Sequence, residues 1–99
     1  MSHWLLLYDL APDYLDRRGA HRDRHLALAW DSAGRDELLL GGAVGDPTDM
    51  ALLLFTGEAA ARAFAEADPY VTNGLVTAWR VRPWTTVVGR DATTPVRPA

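Results

Sequence analysis

The stretch "HRDRH" sets His21 and His25 four residues apart, a spacing that a helix would stack on a single face. Zinc sites use that spacing, but here Arg22, Asp23 and Arg24 stand where a His-Glu-x-x-His motif needs its glutamate, and flanking guanidiniums oppose a cation. No metal site is expected. His21 reads as a solvated surface residue. His25 adjoins Leu26 at the border of an apolar stripe, where an imidazole can be held in place as a base. A second acid-base group stands in "FAEADPYVTNG", residues 64–74. Pro69 there stops a helix and pushes the residue before it out of the α region. Asp68 has no such excuse, because a carboxylate at a helix C-terminus faces the negative end of the dipole and loses roughly 0.3–1 kcal/mol. It asks for a partner, either its own backbone in a turn or a cationic neighbour from the first helix, His25 being the attractive one. A carboxylate on one imidazole nitrogen fixes the tautomer and frees the other to move a substrate proton. Arg22, three residues before His25, can fork an anionic substrate.

Other stretches carry less chemistry. "LLLGGAVGD" follows a strand with glycines, yet it matches neither G-x-G-x-x-G nor G-x-x-x-x-G-K-[ST], and no helix opens there. Its glycines mark a bulge or the close approach of a partner backbone or ligand. Ser2 and Ser32 lack a nucleophile-elbow context.

The elements that must position these groups follow from periodicity. "HWLLLYDL", residues 3–10, is a buried strand closed by Ala11-Pro12-Asp13. Residues 14–33 form one helix, interrupted only by Gly19, with Leu26, Trp30 and Ala33 on its apolar stripe and Gly34 as C-cap. "ELLLGGAVGD" and "MALLLFTG" are strands joined through Asp46-Pro47-Thr48-Asp49, and they pair as a hairpin. Thr56 caps a helix over "EAAARAFAEA" anchored by Phe64. In "LVTAWRVRPW" Leu75, Thr77, Trp79 and Val81 face one way, and Val76, Ala78, Arg80, Arg82 and Trp84 the other. The order βαββαβ predicts an α+β, ferredoxin-like fold: a four-stranded antiparallel sheet with two helices on one face. Residues 1–88 make this single domain and 89–99 a flexible C-terminal tail. Strands apolar on both faces cannot leave one face in water, so a second copy is expected to cover it about a two-fold axis, giving a homodimeric α+β barrel.

Bulk composition narrows the classes. Ninety-nine residues hold one core, and 48% hydrophobic with 23% charged residues is globular composition. All ten basic residues are arginine, yet the net charge is -3, which argues against nucleic acid. Cysteine is absent, which removes thiolate chemistry and fits a reducing, cytoplasmic setting. The opening "MSHWLLLYDLAPDY" is too short in apolar residues for a signal core or a membrane span.

Taken in order, the apolar first strand, "RDRHL", "LLLGGAVGDP", the strand after it and "FAEADPYVTNGL" resemble the YciI-like family, small proteins of the dimeric α+β barrel superfamily, over residues 4 to 88. The resemblance implies a site centred on a histidine and an aspartate between helices and sheet, which falls on His25 and Asp68, with Arg22 and Tyr70 as substrate contacts. The run "MALLLF" departs from the polar alternation common in that strand of the family. Some relatives carry out proton abstraction or elimination on small cyclic organic acids without a cofactor. The expectation is therefore a cofactor-independent lyase or isomerase with His25 as general base, Asp68 orienting it and Tyr70 donating to an oxyanion. The alternatives are a non-catalytic dimeric small-molecule-binding or accessory domain, and an oxygenase-type barrel; fold alone does not choose among them.

Overall fold

The opening apolar run forms β1 (His3–Leu10), followed along the chain by β2 (Leu38–Val44), β3 (Met50–Phe55) and β4 (Val76–Trp84) in the computed structural model, which describes residues 2–99. They make one sheet of order β2-β3-β1-β4 with every neighbouring pair antiparallel. β1 is interior, so its Leu-rich run is flanked by two partners, as buried strands usually are. Leu6 and Tyr8 of β1 lie opposite Leu53 and Ala51 of β3 and opposite Val81 and Trp79 of β4. This row is the core face, and Leu6, Tyr8, Leu53, Phe55 and Val81 are buried in it.

The principal helices are α2 (Arg22–Gly34) and α3 (Glu58–Ala67), preceded by the single turns α1 (Tyr14–Arg17) and a 3₁₀ turn over Arg18–Ala20 and, after α3, followed by α4 (Pro69–Thr72). In α3 the buried residues Ala61, Phe64 and Ala65 recur at i, i+3 and i+4, so one stripe of a strongly helix-forming sequence packs on the sheet. Phe64 meets Phe55 of β3 at 5.5 Å between ring centroids.

Four sequence expectations need correction. The first helix is not continuous: Gly19 stands in the 3₁₀ turn, and the chain leaves helical geometry at His21 (φ -121, ψ -2) before α2 starts. Leu26 and Trp30 do not point into the core; Leu28, Ala29 and Ser32 do, and Trp30 is 74% exposed. Thr56 does not cap α3. Gly57 holds the N-cap position, while the Thr56 hydroxyl donates to the Asp36 carbonyl at 3.1 Å and ties α3 to the segment before β2. Finally, the register of β1 against β4 shifts between Asp9 and Leu10, so Leu10 pairs with Val76; both Leu75 and Val76 end up buried, against strict alternation.

The opposite face of the sheet carries Leu5 and Leu7 directly across from Leu54 and Leu52. These leucines are half-buried, and Leu40 at 72% and Trp84 at 46% are exposed. After β4 the chain turns back on itself, with Thr94 and Val96 N–H groups bonded to the carbonyls of Thr86 and Val87, and the Thr86 hydroxyl 2.8 Å from His3 Nδ1. Among the described residues no helix is long and apolar enough to cross a membrane.

Candidate active site

Asp68 closes α3 and opens α4. Its backbone swings to φ -66, ψ 122, Pro69 takes the first helical position, and Asp68 Oδ1 accepts from the Tyr70 N–H at 3.0 Å. The acid that looked misplaced at one helix end is thus the N-cap of the next. The same oxygen lies 2.8 Å from His25 Nδ1, and Oδ2 accepts from the Tyr8 hydroxyl at 2.8 Å. Asp68 is completely buried, so its partners come from three elements: Tyr8 from β1, His25 from α2 and Tyr70 from α4. Both alternatives weighed for Asp68, backbone cap and histidine partner, hold together.

The hydrogen-bond pattern fixes the histidine. The Tyr70 N–H can only donate to Asp68 and the Tyr8 hydroxyl donates to its other oxygen, so the carboxylate acts as acceptor and the matching role for His25 is donation from Nδ1. Nε2 is then the ring nitrogen not engaged by Asp68. Packing holds the ring in orientation: Tyr70 stacks on it at 3.9 Å between centroids and 10° between planes, and Phe64 meets it edge-on at 6.1 Å. The side chain retains 15% exposure.

His25 lines a cavity of about 450 Å³, together with Tyr8, Tyr14, Arg18, Arg22 and Tyr70 among others. Burial first, then the Asp68 charge and the bond to it, push the Tyr8 hydroxyl well above the ordinary tyrosine range, so it stays a donor at any physiological pH. Tyr70 is also raised, by burial first and then by Tyr14, with Arg22 and Arg18 pulling the other way. Although Arg22 is near enough to act on it, the buried Tyr70 hydroxyl has no hydrogen-bond partner among the described residues. Arg18 itself is tethered, its guanidinium 5.7 Å from the Tyr14 ring centroid.

The structure therefore brings His25 and Asp68 into direct contact and sets Arg22 and Tyr70 around the same cavity. His21 lies apart at the start of α2, where its Nδ1 accepts from Arg24 at 2.9 Å. No group of three or more metal-ligating side chains occurs among the described residues. Sequence reasoning missed Tyr8, Tyr14, Arg18 and Trp30. A tyrosine inside an otherwise aliphatic buried strand was the one available signal, since a buried phenol needs a partner for its hydroxyl.

With the geometry described, comparison with known proteins places the chain. The family model for the YCII-related domain matches residues 1–85. The chain belongs to the YCII-related domain family. Among solved structures, this YCII-related domain is similar to a 5-chloro-2-hydroxyhydroquinone dehydrochlorinase from Burkholderia phenoliruptrix in complex with 2,5-dihydroxybenzoquinone: TM-score 0.70, 22% identity, covering 85% of this chain and 94% of that one. It is also similar to a structural-genomics target protein from Agrobacterium tumefaciens, with TM-score 0.52, 16% identity and coverage of 94% and 98%. Identities this low speak for a shared ferredoxin-like α+β fold. No curated protein matches the chain significantly.

Proposed function

We propose that the cavity beside His25 is the active site of a cofactor-independent lyase or isomerase that removes an acidic C–H proton from a small cyclic organic acid. The observation that carries this reading is the buried Asp68 carboxylate 2.8 Å from Nδ1 of a partly exposed His25 that lines the cavity. His25 acts as general base through Nε2. Asp68 holds the tautomer and balances the imidazolium formed when the proton arrives. Tyr70 and Arg22 stabilise the negative charge that develops on the substrate oxygen as the C–H bond breaks, after which a leaving group departs or the proton returns at another carbon. The dehydrochlorination performed by the structural relative is one outcome of that sequence, and its name supports the reaction class at no finer level.

The same reading has the molecule work as a homodimer closed over the leucine-rich sheet face, supported by the exposed Leu40 and Trp84 beside the half-buried Leu5, Leu7, Leu52 and Leu54. The test of the chemistry is deuterium uptake from D2O into a panel of ring acids with an acidic C–H, followed by NMR. Uptake in the native protein should fall by about 10²-fold or more in His25→Gln. Ligands that bind without any uptake in the native protein would instead make this a binding domain.

A further inference from the structure

The cavity is larger than a single-ring acid requires. It encloses about 450 Å³, about three times the ~150 Å³ apolar cavity that takes up one benzene. The room has a local origin. Four cavity-lining positions on the sheet carry almost no side chain: Gly41, Gly42 and Ala43 of β2, and Ala51 of β3, which is the direct partner of Ala43. Across from them α2 contributes Leu26, Ala29 and Trp30, and Trp30 is left 74% exposed although it lines the cavity. A flat apolar body is what such a floor and wall accept.

The other end of the cavity is polar and incomplete. Tyr70 is only 2% exposed, yet its hydroxyl has no hydrogen-bond partner among the described residues, and a buried donor left idle is costly. Arg22 and Arg18 line the cavity beside it, so the missing acceptor is an anion rather than a neutral carbonyl. On α2 the step from Arg22 to Trp30 is eight residues, roughly 12 Å of helix at 1.5 Å per residue.

We infer that the cavity is shaped for a fused two-ring carboxylic acid, its carboxylate accepting from the Tyr70 hydroxyl and Arg22 and its rings lying over Gly41, Ala43 and Ala51 against Trp30. This rests on the reading of the cavity as the substrate site, and it narrows the substrate class from any small ring acid to a bicyclic one.

The experiment is equilibrium calorimetry of the full-length chain with three probes: 2-naphthoate, benzoate and the neutral 2-methylnaphthalene. The expected result is 2-naphthoate binding about tenfold tighter than benzoate or better, and also tighter than the neutral hydrocarbon. Gly41→Val, whose new side chain meets Leu53 at ordinary contact distance, should abolish the preference for two rings while leaving benzoate binding. If circular dichroism shows that variant unfolded, Ala43→Val asks the same question. Tyr70→Phe should weaken 2-naphthoate and leave 2-methylnaphthalene unchanged. Equal affinity for one and two rings, a preference that survives both valine variants, or no effect of Tyr70→Phe would each overturn the inference. Binding is measured without turnover, so a chain that prefers 2-naphthoate but exchanges no proton keeps this inference and loses His25 as a base; exchange into single-ring acids with no such preference does the reverse.

Discussion

Asp68 offers two oxygens to three donors, and any change there is felt by all of them. Asp68→Asn keeps the shape but replaces one oxygen by an NH2, which must confront either Tyr8 or the His25 and Tyr70 donors. A loss of about 1–3 kcal/mol is expected, read as a lower urea midpoint at unchanged slope. Nitrogen-15 NMR of the imidazole should at the same time show the protein losing its preference for the Nδ1–H form; a ring unchanged in Asp68→Asn would mean that Asp68 serves only as a cap. Tyr8 predicts a pH dependence. Its hydroxyl ionises far less readily in the folded chain than in the unfolded one, so the stability it contributes is complete below about pH 10 and falls above it, by up to about 1.4 kcal/mol per pH unit. Urea midpoints measured between pH 9 and 11 should therefore decline more steeply in the native protein than in Tyr8→Phe. At this scale the sequence was informative about Asp68 and His25, because a carboxylate at the wrong end of a helix is a local anomaly. Tyr8 gave a weaker signal, and Arg18 and Tyr14 gave none, since their place at the cavity depends on how the short turns before α2 fold.

Elements were legible where one strong pattern governs them and illegible where two weak ones compete. The bounds of β1 and α3 follow from an unbroken apolar run and an unbroken run of helix formers. The segment from Tyr14 to Gly34 has helical spacing throughout, yet the chain passes through a 3₁₀ turn holding Gly19 and leaves helical geometry at His21, while Trp30 of the continuous α2 lies on the cavity rather than in the core. The bulge that buries both Leu75 and Val76 has no sequence marker of its own. Turn glycines give a graded prediction. Gly74 has φ 78 in open space, and Gly45 has φ 95 with a Cβ position only 2.8 Å from Asp49 Oδ1 and 2.9 Å from the Pro47 carbonyl. Gly74→Ala should cost about 1 kcal/mol, the left-handed penalty alone, and Gly45→Ala clearly more, because alanine there meets both strain and backbone. Thermal midpoints of the two variants test the order; equal shifts would mean the β2–β3 turn simply relaxes.

For the whole molecule, the order βαββαβ and the antiparallel sheet were readable because alternating strand and helix signals leave few topologies. The uncovered leucine face was readable too, as strands apolar on both sides. Charging the centre of that face should test the dimer: Leu54→Arg is expected to halve the mass seen by light scattering during size-exclusion chromatography, and a native protein already monomeric at micromolar concentration would remove the barrel from the proposal. The cavity was not readable, since its volume is set by what Gly41, Ala43 and Ala51 omit. One feature of the site reaches beyond the finished fold. Tyr8 and Asp68 are 60 residues apart along the chain and His25 and Asp68 are 43 apart, so the contacts that orient the histidine are long-range and carry a loop-closure cost. During synthesis the strand and helix bearing Tyr8 and His25 emerge long before their acid, and the nascent chain holds an unoriented imidazole until Asp68 leaves the ribosome. No N-terminal fragment ending before Asp68 can form the network of Tyr8, Asp68 and His25.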